Sequence, residues 1–401
     1  MTFANPYRPG AGHPPPYLAG RGREQDKFRK MLEQEVILTN LVLTGLRGVG
    51  KTVLLETFKP LAQGSGWGWA GTEFLESTSM TEAALATRIL TDLSVVTASV
   101  VVGHREVAKI GFHPQTVKKD RRLDYDLLRS IYEQTPGLVD DKLKHVLETA
   151  WSVLKQAGLR GLIFAYDEAQ NIADHASKEE YPLSQLLTVF QSIQRKQVPF
   201  MLVLTGLPTL FPKLVEARTF AERMFHVMSL ERLNDVDSRE AILRPIQDQK
   251  DCPVTFSEAG VRKIVEVSAG YPYFIQFVCR EAFDVVISQA QRGKRPHVPI
   301  EEIVRKLDTD FFAGRWSRAT DRQRELLQVI AGLEHRDGEF TVQEIVERSR
   351  KLLAKAFSSS HAHQMLSALG EAGLVYKNRH GKYAFAVPLL GAFIHRQGQE
   401  P

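Results

Sequence analysis

The sequence predicts an α/β protein: a parallel sheet with flanking helices, then an all-helical region, then three helices and a hairpin. Three observations predict it. Gly45-Leu46-Arg47-Gly48-Val49-Gly50-Lys51-Thr52 fits the G-x-x-x-x-G-K-[ST] phosphate loop, with an apolar run before it and a helical pattern after it. Further apolar, β-branched runs recur downstream, separated by helical periodicity. Beyond Asn234 the strand signal stops, and helices alone remain until about residue 373.

Residues 1–19 carry Asn5-Pro6-Tyr7-Arg8-Pro9-Gly10 and Pro14-Pro15-Pro16, which predicts an extended, linker-like lead-in. Gly20-Arg21-Gly22-Arg23-Glu24-Gln25-Asp26 opens a helix that runs to about Gln34. Residues 36–44 read as a buried strand, and Val53-Leu54-Leu55-Glu56-Thr57-Phe58 as the start of the helix after the loop. A stretch bearing Trp67 and Trp69 leads to a short strand at 72–76. Residues 79–93 are helical, with Ser79 or Thr81 as the cap. Residues 96–145 alternate apolar and basic patches, Lys118-Lys119-Asp120-Arg121-Arg122 among them, and read as an elaboration on the core. A helix follows over 140–157, then buried strands over 162–166, 200–205 and 225–230. Strands alternating with helices in this way make a parallel sheet covered on both faces. The all-helical region to about Phe312 is punctuated by Pro245, Cys252-Pro253 and Gly270-Tyr271-Pro272, and Ser257 caps one of its helices with Glu258 in the first turn. The expected domains are 1–19, 20–232, 233–313 and 314–401.

At 401 residues the length suits two or three domains, and 43% apolar with 25% charged residues is an ordinary globular composition. A net charge of +5 permits an anionic partner without requiring one. No run of about 18 apolar residues is present, and the N-terminus has no apolar signal core, so a cytoplasmic chain with no membrane association is expected. Cys252 and Cys279 have no metal-ligand spacing and read as inert thiols of a reducing compartment.

The phosphate loop has a direct physical purpose. Its glycines let successive N–H groups turn toward one point, and the helix starting near Thr52 and Val53 adds the positive end of its dipole. Lys51 supplies a point charge for the β- and γ-phosphates, and the Thr52 hydroxyl can ligate Mg²⁺. These residues predict a P-loop NTPase that binds ATP or ADP with Mg²⁺. Asp167-Glu168 follows the second strand, where an acid can hold the metal and a neighbouring Glu168 can polarise the attacking water. The same pair also suits the first turn of a helix. Thr205, ending the third strand before Gly206-Leu207-Pro208, is placed to face the γ-phosphate and the water. A strand ending in a turn explains it too.

The run from Gly20-Arg21-Gly22-Arg23-Glu24 through the phosphate loop, Asp167-Glu168, Thr205 and the helical region resembles the AAA+ ATPases over about residues 15–310. More narrowly it is similar to the branch containing origin-recognition initiators and STAND signalling ATPases. The resemblance implies that Leu18 to Arg21 line an adenine pocket and that Thr205 is the first sensor residue. It also implies that Arg223, in Ala221-Glu222-Arg223-Met224-Phe225, is an arginine finger for a neighbouring subunit's γ-phosphate. Arg218 is the second candidate, and a solvated helix end explains Arg223 equally. Such a finger supplies several orders of magnitude in rate. One departure stands out: Gly270-Tyr271-Pro272-Tyr273-Phe274-Ile275-Gln276 lacks the lid arginine of initiators. It looks like the glycine-x-proline signature of STAND ATPases, in which Pro272 would pack near the adenine, and Arg280 further along is a poor substitute. This implies a slow switch that holds nucleotide and self-associates on binding it.

In the last segment, a helix over 320–332 with Thr320 and Asp321 as cap candidates precedes the Asp337-Gly338 turn and a second helix over 341–353. Ser358-Ser359-Ser360 caps a third, running to about Glu371, and two strands flank Asn378-Arg379-His380-Gly381. Three helices and a hairpin are the plan of a winged helix-turn-helix domain, and this stretch resembles the one appended to initiator-type ATPases. Used on double-stranded DNA, Ser359, Ser360, His361, His363 and Gln364 would face the major groove, and Arg379, His380 and Lys382 the backbone or minor groove. From residue 311 onward 13 Lys and Arg stand against 9 Asp and Glu, a net of +4, so any DNA affinity would be modest and salt-sensitive. Use of the same surface for protein contacts is the alternative. The competing functions are therefore a DNA-acting initiator-like or mobile-element helper ATPase and a STAND-like signalling or defence switch.

Overall fold

The computed structural model describes residues 3–10, 12–75, 80–109, 115–294, 296–334 and 338–398, with the backbone alone described at 102–109 and 115–121. Glu76, the candidate cap Ser79 and the turn residue Asp337 lie outside the described residues, as do the side chains of Lys118-Lys119-Asp120-Arg121. The chain divides into two compact units. One comprises Arg23–Thr44 and Leu54–Ser229; the other comprises Met1–Gly22, Gly45–Val53 and Leu230–Pro401.

The first unit contains strands β1 (Asn40–Thr44), β2 (Trp67–Ala70), β3 (Val101–Lys109), β4 (Gln115–Arg122), β5 (Gly161–Tyr166), β6 (Phe200–Gly206) and β7 (Phe225–Ser229). Five of them form one parallel sheet in the order β2-β5-β6-β1-β7, and β3 pairs antiparallel with β4. Every residue of β1, β5 and β6 is buried. That is why these strands read as unbroken apolar runs: both faces of a parallel sheet are covered. The helices Glu82–Thr97, Val139–Gln156 and Pro182–Arg195 contribute Leu85, Ile89, Leu147, Leu186 and Phe190 to the same core. Thr81 caps the first of these by accepting the N–H of Ala84 at 3.1 Å.

Two strand expectations need correction. β1 starts at Asn40, not at residue 36, and Val36 and Leu38 are exposed. The buried Asn40 side chain accepts the Leu202 N–H at 2.7 Å and donates to Gln194 Oε1 and the Met224 carbonyl, so it pins the start of β1 between its neighbours. The expected strand at 72–76 is reduced to a single bridge, Glu73 to Asp167. The edge strand is formed instead by Trp67–Ala70, in register with β5 from Trp67↔Gly161 to Ala70↔Phe164. Its two tryptophans favour a strand but Gly68 and Ala70 do not, and four residues are too few for alternation to show. In the stretch 96–145, the β3–β4 hairpin leads into the helix Tyr125–Gln134, which Asp124 caps through the Leu127 N–H.

The second unit is built on the helices Asp235–Gln247, Glu258–Ser268, Pro272–Gln291 and Ile300–Leu307, with Ser257 capping the second. The helices Asp321–Ala331, Val342–Leu352 and Ser359–Glu371 follow, then an antiparallel hairpin of β8 (Val375–Arg379) and β9 (Lys382–Phe385). Thr320 and Thr341 begin their helices with reciprocal capping bonds to Gln323 and Glu344, and Ser358 accepts the His361 N–H. A closing helix, Leu390–Gln397, was not anticipated; its eight residues are too few to establish a period. One apolar core runs through these helices. Phe312 stacks between Phe274 and Phe393, at 5.9 and 5.1 Å, and Arg396 forms a fork on Asp308 with Nε at 2.8 Å.

The N-terminal stretch is extended but is no linker. Tyr7 is fully buried in this core and donates its hydroxyl to the Ile242 carbonyl. Asn5 donates to the Arg280 carbonyl and Asp284, the Arg8 N–H to Gln276, and Tyr17 to Glu240. No helix among the described residues is long and apolar enough to cross a membrane.

Candidate nucleotide-binding residues

The phosphate loop leaves β1 at Thr44 and enters the helix Lys51–Gly64. Gly48 and Gly50 have φ of +79° and +92°, a region that side-chain-bearing residues avoid, and it is this backbone path that the motif's glycines permit. A Cβ built on Gly50 would meet nothing within 4 Å, so the backbone there is open to a ligand's approach. Lys51 is only 7% exposed, and its Nζ donates to the carbonyls of Gly45 (3.0 Å) and Leu46 (3.1 Å). Val49 is buried, whereas Thr52 and Val53 are half-buried.

Within the same unit the loop is held by residues distant in sequence. Arg21 is buried and donates to the carbonyls of Val49 at 3.0 Å and Glu231 at 2.7 Å, while Leu18 is half-buried next to the buried Ala19. The guanidinium expected at an adenine pocket thus ties the loop, through Val49, to the Glu231 carbonyl. Pro272, half-buried, occupies the first turn of Pro272–Gln291, and the Tyr273 N–H in that turn donates to the Gly48 carbonyl at 3.1 Å. That bond satisfies one of the N–H groups a helix start leaves without an internal partner. Arg280 donates to the Tyr7 carbonyl, so it serves the N-terminal strap.

In the sheet unit, the structure brings Asp167 and Thr205 together. Both are buried, and the Thr205 hydroxyl donates to Asp167 Oδ1. Glu168 adopts the left-handed region (φ 50°, ψ 37°), unusual for a non-glycine residue, and its N–H donates to Asp167 Oδ1 at 2.8 Å. Gln170 Nε2 donates to the Glu168 carboxylate, and Gln170 Oε1 accepts the Leu207 N–H at 3.1 Å. Lys213 Nζ reaches the Gln170 carbonyl at 2.5 Å, and burial holds its pKa below the ordinary lysine value. Gln170 and Lys213 carry no spacing signal, and sequence reading missed both. Arg223 is exposed on the short helix Ala221–Met224, whereas Arg218 donates to the Thr188 hydroxyl at 3.2 Å.

The oxygen donors Thr52 and Asp167 are of the hard type that suits Mg²⁺. Among the described residues no cluster of three or more His, Cys, Asp or Glu side chains offers a metal cage.

On Ser359–Glu371, Ala362, Met365, Leu366 and Leu369 are buried while Ser359, Ser360, His361, His363 and Gln364 are exposed on the opposite side. His363 Nδ1 lies 2.9 Å from the Ser359 carbonyl. At the hairpin tip His380 is exposed and Lys382 half-buried. Arg379 is exposed but already engaged: its Nε and Nη2 grip Glu339, at 2.9 and 2.6 Å to Oε2. That contact holds the Glu339 carboxyl below the usual carboxylate range.

Residues 309–394 match the model of a domain of unknown function, DUF8462. No curated protein matches the chain. Among solved structures, the ORC2 protein of Aeropyrum pernix in its ADP form is similar at 14% identity and a TM-score of 0.53, covering 98% of each chain. The ADPNP–ADP complexes of the same protein are similar at 12% identity and a TM-score of 0.52, again over 98% of each chain. The likeness establishes the fold, which these ORC2 structures share: a five-stranded parallel sheet with flanking helices, followed by a C-terminal helical region.

Proposed function

We propose that this chain is a cytoplasmic, Mg²⁺-dependent ATPase that holds ATP or ADP, turns it over slowly or on partner stimulation, and acts as a nucleotide-controlled switch on double-stranded DNA. The phosphate loop carries the reading: a strand, two left-handed glycines, a buried lysine and a helix start, in the order that phosphate binding requires. The nucleotide complexes of the A. pernix ORC2 protein, which shares the fold, support it. Lys51 and the loop N–H groups hold the phosphates, Thr52 and Asp167 offer oxygens to Mg²⁺, and Glu168 takes the proton of the attacking water. Thr205 orients Asp167. Mg²⁺ supplies neutralisation of the charge that builds up on the phosphate oxygens.

Control of the C-terminal region is supported by what the loop touches inside its own unit. Tyr273 and Arg21 brace it, Arg21 being bonded in turn to the Glu231 carbonyl, and Arg47 Nη2 lies 3.7 Å from where a Cβ on Gly373 would stand, just before β8. The three helices and hairpin would act as a winged helix, reading DNA through the exposed face of Ser359–Glu371 and through His380 and Lys382. The exposed Arg223 suits an arginine finger offered to a second copy of the chain.

Phosphate release by the wild-type chain and by Glu168→Gln, with and without duplex DNA, tests the whole. Glu168→Gln should retain bound ATP and lose turnover, and DNA should raise the wild-type rate. If calorimetry with Mg-ATP and Mg-ADP registers no heat on folded protein, the proposal fails.

One observation favours a second reading, a STAND-like signalling or defence switch that uses its C-terminal region for protein contacts. Pro272 opens a helix whose first turn is tied to the loop through Tyr273, and Gly270 to Gln276 contains no arginine. Assembly on a slowly hydrolysed ATP analogue, with turnover indifferent to DNA, would select it.

A further inference from the structure

We infer that Gln170 is a positioning residue for Glu168, tying the candidate base to the segment that follows β6. The inference rests on the reading of Glu168 as general base given above. Glu168 sits in a left-handed conformation that non-glycine residues keep only where their surroundings hold it. Its N–H is bonded to Asp167, its carbonyl accepts the Asn171 N–H at 2.9 Å, and its carboxylate is held by Gln170, which makes three bonds of its own. Its amide NH₂ donates to Glu168 Oε2, its amide oxygen accepts the Leu207 N–H at 3.1 Å, and its own carbonyl accepts Lys213 Nζ at 2.5 Å.

The orientation of the Gln170 amide is forced. The Leu207 N–H is a donor and must meet the amide oxygen, which leaves only the NH₂ group to face the Glu168 carboxylate. With Oε2 engaged in this way, Oε1 is the oxygen that Gln170 leaves available to a water proton. The other two partners of Gln170 lie just after Thr205, on Leu207 and on the helix Leu210–Ala217. Lys213 is poorly hydrated there, with Asp174 and Glu216 as the charges around it, so its grip on the Gln170 carbonyl is a charge-assisted bond. The base is thus fixed to the segment that begins where Thr205 bonds Asp167.

The test uses the full chain and two variants. Gln170→Met keeps length and removes both side-chain polar atoms while leaving the backbone carbonyl that Lys213 grips; Gln170→Glu keeps an acceptor for Leu207 but turns a carboxylate toward Glu168. Steady-state ATP hydrolysis is measured beside Mg-ATP calorimetry and thermal unfolding. Losing one hydrogen bond to a charged group should lower kcat about 10- to 100-fold in both variants, with KM and the dissociation constant within about twofold of wild type. Lys213→Met should lower kcat in the same direction. An unchanged or raised kcat, or an equal fall in kcat and affinity, overturns the inference. If Gln170→Met does not fold, Gln170→Glu decides alone. Full activity of Glu168→Gln would instead overturn the reading of the base, whatever Gln170 does.

Discussion

Replacing Lys51 by alanine should remove nearly all nucleotide-dependent stabilisation, and the structure sets the size of the effect. The Lys51 ammonium is buried and donates to two loop carbonyls at 3.0 and 3.1 Å. With a triphosphate bound, those hydrogens turn to phosphate oxygens. Hydrogen bonds to charged groups contribute about 1.5–3 kcal/mol each, so losing two weakens binding by about 3–6 kcal/mol, or 10²- to 10⁴-fold. Wild-type protein at a Mg-ADP concentration of about 100 times its dissociation constant gains about 2.7 kcal/mol. At roughly 2–4 °C per kcal/mol for a unit of this size, that is a rise of about 5–11 °C in Tm. At the same concentration the variant is at or below half-saturation, gains at most about 0.4 kcal/mol, and should shift by less than about 2 °C. Differential scanning fluorimetry, comparing each protein with and without Mg-ADP, reads this directly. A variant that keeps a shift of 5 °C or more refutes the assignment of the loop, as does a wild-type chain that shows none.

Tyr7→Ala should cost the second unit about 3–5 kcal/mol, since it empties a fully buried aromatic site, whereas Tyr7→Phe loses only the bond to Ile242, about 1 kcal/mol. Equal unfolding temperatures for wild type and Tyr7→Ala would show that the strap is not part of that core. At the hairpin tip, Glu339→Gln should release Arg379, tighten duplex DNA binding several-fold and steepen its salt dependence by about one phosphate contact. Fluorescence anisotropy over a salt series checks it, and unchanged or weaker binding would remove Arg379 from the interface. Lowering the pH should act in the same direction. The folded-state Glu339 carboxyl lies below its ordinary value, so the pair is intact at neutral pH and is lost as pH falls through that lowered value.

Much of the fold is legible in the sequence because local conformation and burial write the same signal. β5, β6 and β7 lie within a residue of where their apolar runs place them, and Ser257, Thr320 and Ser358 cap the helices they precede. Where the determinant is a distant partner, local reading fails. The proline-rich lead-in reads as a linker because nothing in 1–19 shows that Tyr7 belongs among the side chains of helices more than 200 residues away. Arg379 reads as a free cation because Glu339, 40 positions earlier, is invisible to composition.

The candidate site divides along the same line. The loop and the acidic pair are contiguous motifs, but the coupling between strands follows from sheet order. β6 lies between β5 and β1: Thr205 pairs across to Leu43, next to the residue that leads into the phosphate loop, and reaches Asp167 at the end of β5. Only a strand in that central position can touch the strand that feeds the loop and the strand that carries the acid. A hydroxyl at its end therefore lies between the two, and Leu207 and Lys213 just beyond it bond Gln170, which in turn bonds Glu168. Sequence reading could place Thr205 at a strand end. That its hydroxyl bonds Asp167, and that a glutamine ties Glu168 to the same segment, depends on which strands are neighbours, and parallel pairing between strands 38 residues apart leaves no local trace.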